Sequence, residues 1–258
     1  MLQSVPMKNR LWGLLVCAVV ATGIGAQDLG TVRVATDATW PPMQYIDQNR
    51  RLVGFDIDLM NEIATRAGFR VEFENVSWEG IFAGLLADRY DMIASSVTIL
   101  PEREEVMLFS RPYFDAAQYL VVRQGRERVQ TIADLQGEEV GAQIATTGAR
   151  LIAQTPGVTV RSYDDLGLAV EDLAQGRLGG IVADVAIIEY FVLGNDRYGD
   201  RLTVVGRPYA VEHYGFAVRM DRPELKAAID EALLQIENDG TMAQLRRRWF
   251  VHTDFSTP

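Results

Sequence analysis

From Thr31 onward the spacing of apolar residues switches repeatedly between two and 3.6, which restricts the chain to folds where strands and helices take turns. Residues 31–36 alternate Val and Ala with polar side chains and read as a strand. Asp37-Ala38-Thr39-Trp40-Pro41-Pro42 ends it, because two prolines supply no ladder donors and also stop a helix. Leu59, Met60, Ile63, Ala64 and Ala67 fall on one face of a helix over 56–67, closed by Gly68. Residues 70–74 alternate again. Ser77 then opens a helix with Trp78, Ile81, Phe82, Leu85 and Leu86 on one face, and 91–95 is the next strand. The order β-α-β-α-β predicts an open sheet with helices on both faces.

The pattern restarts near residue 117. Strands are expected at 118–122, 139–143, 159–161 and 179–183, with helices at 131–135, 146–153, 164–174 and 184–193. A strand pair at 202–205 and 213–218 and two helices at 222–237 and 241–249 close the chain. Two similar α/β units within 258 residues predict two lobes, and a hydrophobic share of 48% is enough to give each a core.

The first residues follow a different logic. Lys8 and Arg10 precede an apolar run over 11–20, followed by Ala21, Thr22, Gly23, Gly25 and Ala26. This is the charged, apolar, small-residue order of a secretory signal peptide over 1–26, with cleavage expected after Ala26 and a periplasmic destination. The single cysteine, Cys17, lies inside the apolar run behind Val16, which is the wrong place for a lipidation site. Without that leader the chain has no disulfide and no thiol chemistry. Losing Lys8 and Arg10 takes the formal charge from −10 to −12, which offers nothing to nucleic acid or to an anionic membrane surface. The two histidines, His213 and His252, are far apart, and no metal-ligand spacing or phosphate-cradling loop appears, so neither a metal nor a cofactor is expected.

Ligands of open α/β sheets bind beyond the carboxyl ends of strands. Short polar groups are expected at four such ends: Asp37, the run Ser95-Ser96-Val97-Thr98, Thr146 and Asp184. After the serines a proline-led turn, Pro101-Glu102-Arg103, delivers one guanidinium. Hydroxyls beside an arginine suit a carboxylate, which the guanidinium grips with a planar fork. The competing reading of that stretch alone is a polar loop with an exposed arginine.

Gly54-Phe55-Asp56-Ile57-Asp58-Leu59, Ser95-Ser96-Val97-Thr98 with Arg103, Asp184 after 180–183, and Asp239-Gly240-Thr241 with Arg248-Trp249-Phe250 together resemble the polar amino-acid-binding proteins of ABC importers, the family 3 solute-binding proteins. The resemblance runs over 32–250. It implies a two-lobed periplasmic binding protein fold of type II, each lobe an α/β sandwich, joined by two crossing hinge segments near 113–117 and 210–214. Lobe one would comprise 27–114 and 212–258, and lobe two 115–211.

Carried over residue by residue, the resemblance implies that Arg103 with Ser95, Ser96 and Thr98 holds an amino acid's α-carboxylate and that Asp184 holds its α-ammonium. Thr146 and Thr147 begin a helix near the carboxylate, beside Ala145 where the family often has glycine. Asp37, Trp40, Trp78 and Gln143 match side-chain pocket positions; both tryptophans also fit core positions. Asp37 suits a guanidinium, an ammonium or an amide, so glutamine and the basic amino acids remain equally open. Asp56 and Asp58 read as helix N-terminal charge. The partners implied are an amino acid and a membrane permease, with the binding protein a monomer and not an enzyme. The alternative on the same scaffold is a cyclohexadienyl dehydratase, which needs a general acid carboxylate near Asp184; the position three residues on is Ile187, and Glu189 lies off the needed face.

Overall fold

The structure is a computed structural model that describes residues 29–194, 197–209 and 211–250. The expected leader, Cys17 and His252 lie outside the described residues. Strand β1 (Thr31–Thr36) is followed by three short strands, β2 (Thr39–Trp40), β3 (Gln44–Ile46) and β4 (Leu52–Val53). Helix α1 (Phe55–Ala67), β5 (Arg70–Asn75), α2 (Trp78–Leu86), β6 (Met92–Thr98), the single-turn α3 (Pro101–Glu104) and β7 (Leu108–Phe109) complete the first run. The second run is β8 (Phe114–Arg123), β9 (Glu139–Gln143), α4 (Thr147–Ala153), β10 (Thr159–Tyr163), α5 (Leu166–Ala174), β11 (Gly180–Asp184) and α6 (Val185–Ile188). The chain then forms β12 (Leu202–Val205), β13 (Val211–Val218), α7 (Pro223–Asn238) and α8 (Thr241–Trp249).

The main sheet runs β10-β9-β11-β8-β13-β6-β1-β5. Its two halves meet where β8 and β13 pair antiparallel, Phe114 opposite Tyr214 and Ala117 opposite Val211. Beyond that pairing β8 continues against β11 and β12, while β13 continues against β6 and β7. These are the two crossing segments expected near 113–117 and 210–214; Ala210 itself is outside the described residues. α7 and α8 return to pack on α1.

Alternation along the strands puts helices on both faces of the first half, as expected. Val32, Val34, Met92 and Ala94 face α1 with Leu59, Met60 and Ile63. The intervening Ala35, Ile93 and Val97 face α2 with Trp78, Ile81 and Leu85. In the second half Leu120, Val140, Val182 and Ile152 form one core, while Leu166, Val170, Leu173 and Ile181 lie in the larger one.

Two local readings change. The strand expected at 91–95 runs on to Thr98 and is buried throughout, because Thr98 and Val97 pair with Tyr214 and Gly215 of β13, a partner far along the chain. The hydroxyl run is therefore strand, not loop. The helix expected at 184–193 changes from α to π geometry at Glu189, so its faces do not continue straight past Ile188. The small sheet β2-β3-β4 carries too few residues per strand to show a period.

Candidate functional site

At the carboxyl ends of β1, β6, β9 and β11 the two halves of the sheet line a cleft with ≈ 350 Å³ of atom-free space, part of it open to solvent. Its wall is formed by Asp37, Trp40, Trp78, Ser95, Ser96, Thr98, Arg103, Gln143, Thr146, Thr147 and Asp184, all eleven positions singled out from sequence, together with Gln44. The halves touch around it. Gln143 Nε2 donates to Asp37 Oδ2 at 2.9 Å, Arg150 pairs with Glu102 at 2.6 Å, and the Tyr45 and Tyr190 rings lie 5.8 Å apart.

Arg103 is placed by α3, whose N1 proline starts the turn. Its Nη1 donates to the Thr98 carbonyl at 2.8 Å, and its guanidinium lies 4.6 Å from the centroid of the Phe82 ring and 5.7 Å from that of Trp78. Among the described residues no carboxylate pairs with it. Desolvation draws its pKa down to about 10, which leaves it cationic at neutral pH.

Ser96 sits in the left-handed region, φ 51°, within a buried strand. Asp56 holds it there: Asp56 Oδ2 accepts from the Ser96 N–H at 2.7 Å, from the Ser96 hydroxyl at 3.2 Å and from the Tyr113 hydroxyl at 2.9 Å. The reading of Asp56 as helix N-terminal charge is thereby corrected. It is fully buried, and burial pushes its pKa up to about 7. Asp58 accepts from Trp249 Nε1 at 2.9 Å and Arg248 at 3.0 Å, which ties α1 to α8. Ser95 Oγ accepts from the Asp37 N–H at 3.0 Å and from Gln44 Nε2 at 3.1 Å, so the serine anchors the start of the loop that carries Trp40.

Asp37 accepts from Thr39 Oγ1 at 2.9 Å and from Gln143; burial raises its pKa. Asp184 ends β11 and is 6% exposed. Burial, then the negative charge of Glu212, push its pKa up to about 7. Gln118 Nε2 donates to its Oδ1 at 2.7 Å, and among the described residues no cation pairs with it. Trp40 and Trp78 both pack into core clusters and also line the cavity; the buried Trp78 indole N–H has no hydrogen-bond partner among the described residues. Thr146 caps α4, its hydroxyl accepting from the Ala149 N–H at 3.2 Å. Ala145 adopts φ 57° before it, the backbone shape that a glycine takes without steric cost.

Sequence reasoning missed Gln44 and Glu212. Gln44 follows a double proline, where no period operates. Glu212 lies on β13 and looks like an ordinary polar strand residue, yet its Oε2 accepts from Thr98 Oγ1 at 3.1 Å and Thr147 Oγ1 at 2.9 Å. Ile187 is in the core, and neither Ile187 nor Glu189 lines the cavity, so the position where a dehydratase would need its acid is apolar and buried.

The sequence model for the bacterial extracellular solute-binding proteins, family 3, matches residues 32–252. The chain is 31% identical over 242 residues to the putative ABC transporter arginine-binding protein 2 of Escherichia coli strain K12, covering 92% of this chain and 98% of that protein. It is 30% identical over 227 residues to the L-cystine-binding protein TcyJ of the same strain, covering 87% and 84%. An ancestral arginine-binding protein solved with arginine superposes with a TM-score of 0.81 at 36% identity, covering 86% of this chain and 98% of that one. These relatives are solute-binding proteins, not enzymes.

Proposed function

The chain belongs to the bacterial extracellular solute-binding proteins, family 3, and on that premise we propose that it captures a basic L-amino acid in the cavity and delivers it to the permease of an ABC importer. The observation that carries this reading is the charge layout: a desolvated Arg103 shares one cavity with Asp184 and Asp37, and none of the three is in a direct ion pair among the described residues. A ligand carboxylate on Arg103 and a ligand ammonium on Asp184 complete two charge-assisted sets. A second cation at Asp37 completes a third, which favours the arginine class over glutamine, where the side-chain amide brings no charge.

The arginine-binding relatives support the same class. The lobes in this reading comprise 27–114 with 212–258 and 115–211, hinged where β8 and β13 cross, and a ligand touching both favours the closed arrangement. The protein acts as a monomer in the periplasm after removal of 1–26. A melting-temperature screen with the twenty amino acids, ornithine and prephenate tests it, since a ligand of the native state raises the midpoint by mass action. Arginine, lysine or ornithine is expected to give the largest rise. No rise with any amino acid overturns the reading, and a rise with prephenate alone replaces it with the dehydratase.

Asp184 makes capture pH-dependent. In the free protein its carboxyl holds a proton up to about pH 7. An incoming ammonium favours the carboxylate and lowers that pKa, so binding below about pH 7 releases a proton and weakens as pH falls. Calorimetry in buffers of different ionisation enthalpy is expected to show proton release near pH 6 that vanishes in Asp184→Asn. Equal proton release by that variant removes the assignment.

A further inference from the structure

We propose that Glu212, a residue of the crossing strand β13, is a positioning residue that turns the hydroxyls of Thr98 and Thr147 into hydrogen-bond acceptors toward the cavity and so makes the site demand a ligand ammonium. The proposal rests on the amino-acid reading above and deepens it.

Thr98 ends β6 in one half of the sheet, and Thr147 opens α4 in the other. Both line the cavity, whereas Glu212 stands behind them, outside its wall. Both threonine hydroxyls reach the same oxygen, Glu212 Oε2, at 3.1 and 2.9 Å, and Gln118 Nε2 approaches it at 3.5 Å. A hydroxyl has one hydrogen and two lone pairs, and a carboxylate has no hydrogen to return. Each threonine therefore spends its only hydrogen on Glu212. Thr147 also accepts from Gln118 Nε2 at 3.0 Å, which fixes the direction of its own donation. What both hydroxyls have left is lone pairs. Those lone pairs cannot serve a ligand carboxylate, which is itself only an acceptor. They serve an ammonium, which has three hydrogens to place.

The same Gln118 amide donates to Asp184 Oδ1 at 2.7 Å, so the acceptor pair and the acidic acceptor belong to one hydrogen-bonded group. This reverses the sequence-based expectation for two residues. Thr98 and Thr147 move from the carboxylate half of the ligand to its ammonium half, and the carboxylate is left to Arg103 with neighbouring backbone amides. It also gives the crossing strand a part in recognition. One oxygen on β13 gathers a hydroxyl from each side of the cleft, an arrangement that forms only when the two sides are together.

The test measures two amino acids against the same molecules lacking the α-amino group: L-arginine against 5-guanidinopentanoate, and L-glutamine against glutaramate. Calorimetry on the full mature chain compares wild type, Glu212→Ala and Glu212→Gln, with melting curves confirming that each is folded. In wild type the amino compound of the pair that binds is expected to bind far more tightly than its deaminated partner. Glu212→Ala frees both hydroxyls to donate, so affinity for the amino acid is expected to drop by about tenfold or more, while the deaminated compound holds its affinity or gains. Glu212→Gln keeps an oxygen for the hydroxyls and is expected to restore much of the discrimination. If Glu212→Ala weakens both compounds by the same factor, Glu212 is merely structural and the proposal fails. An unchanged ratio and unchanged affinities overturn it equally. A wild type that binds neither L-arginine nor L-glutamine moves the test to the amino acid that raises the melting temperature most and its deaminated partner; a wild type that binds no amino acid overturns the transport reading and this proposal with it, and that outcome is read before any variant is made.

Discussion

Replacing Arg103 with alanine is expected to remove about 3 kcal/mol or more of amino-acid binding energy, a loss of at least a hundredfold in affinity, while the protein stays folded. The size follows from what the side chain does not do in the protein itself. It makes one hydrogen bond to a backbone carbonyl and lies over Phe82 and Trp78, but no carboxylate neutralises it among the described residues. Glu212 and Glu102 support its charge from a distance, but direct ion pairing awaits a ligand carboxylate, and the alanine variant leaves that carboxylate buried without a partner. Loss of the stacking contacts costs the free protein little, so the melting temperature of the variant without ligand should change by only a few degrees. Arg103→Lys keeps the charge but not the planar fork, and is expected to recover a minor part of the affinity. Calorimetric titration with L-arginine reads all three proteins. An alanine variant whose affinity lies within threefold of wild type would show that the carboxylate is held elsewhere.

The second large effect concerns stability. Gly54 precedes α1 with φ 141° and ψ 173°, a conformation open to little but glycine. A Cβ there would stand 2.1 Å from the Met43 carbonyl oxygen, which is backbone and cannot swing aside. That carbonyl accepts from the Asp56 N–H at 2.9 Å, and the Pro42 carbonyl accepts from the Phe55 N–H at 3.0 Å, so the loop after β2 is stitched directly to the first turn of α1. Gly54→Ala must break this seam, at a cost of about 3 kcal/mol or more from conformational strain and overlap combined. Damage should spread to the site, because the seam sets Gln44 on one side and Asp56, the anchor of Ser96, on the other. Gly80→Ala is the internal control. Gly80 lies within α2 with open space where its Cβ would go, so that change should be neutral or stabilising by up to about 1 kcal/mol. Urea denaturation of the two variants gives the comparison, and a Gly54→Ala midpoint equal to that of wild type would refute the account.

These two residues mark how far the sequence could be read. Arg103 was legible because a proline-led turn after an apolar strand is local chemistry, and hydroxyls beside a guanidinium have few uses. Gly54 was legible as part of a motif, but the reason for the glycine was not: the carbonyl it must clear belongs to a residue set by a double proline and a three-residue strand. Asp56 was misread for a related reason. An acid in the first turn of a helix ordinarily faces water and the helix dipole, and only the approach of β6 turns this one into a buried acceptor for Ser96. The end of β6 was set too early because its last residues are held by β13, which the chain reaches more than a hundred residues later.

The sequence by itself determined the α/β alternation, the two units, the strand ends where polar groups gather, and the residue types that suit a zwitterion. These follow from periodicity and side-chain chemistry, which act over a few residues at a time. Tertiary structure decided which way those groups point and what they have left to offer. The crossing of β8 and β13 brings Glu212 behind two threonines from opposite halves, and a hydroxyl has a single hydrogen. Whether Thr98 and Thr147 donate or accept is fixed by that long-range neighbour and cannot be read from their own surroundings in the chain.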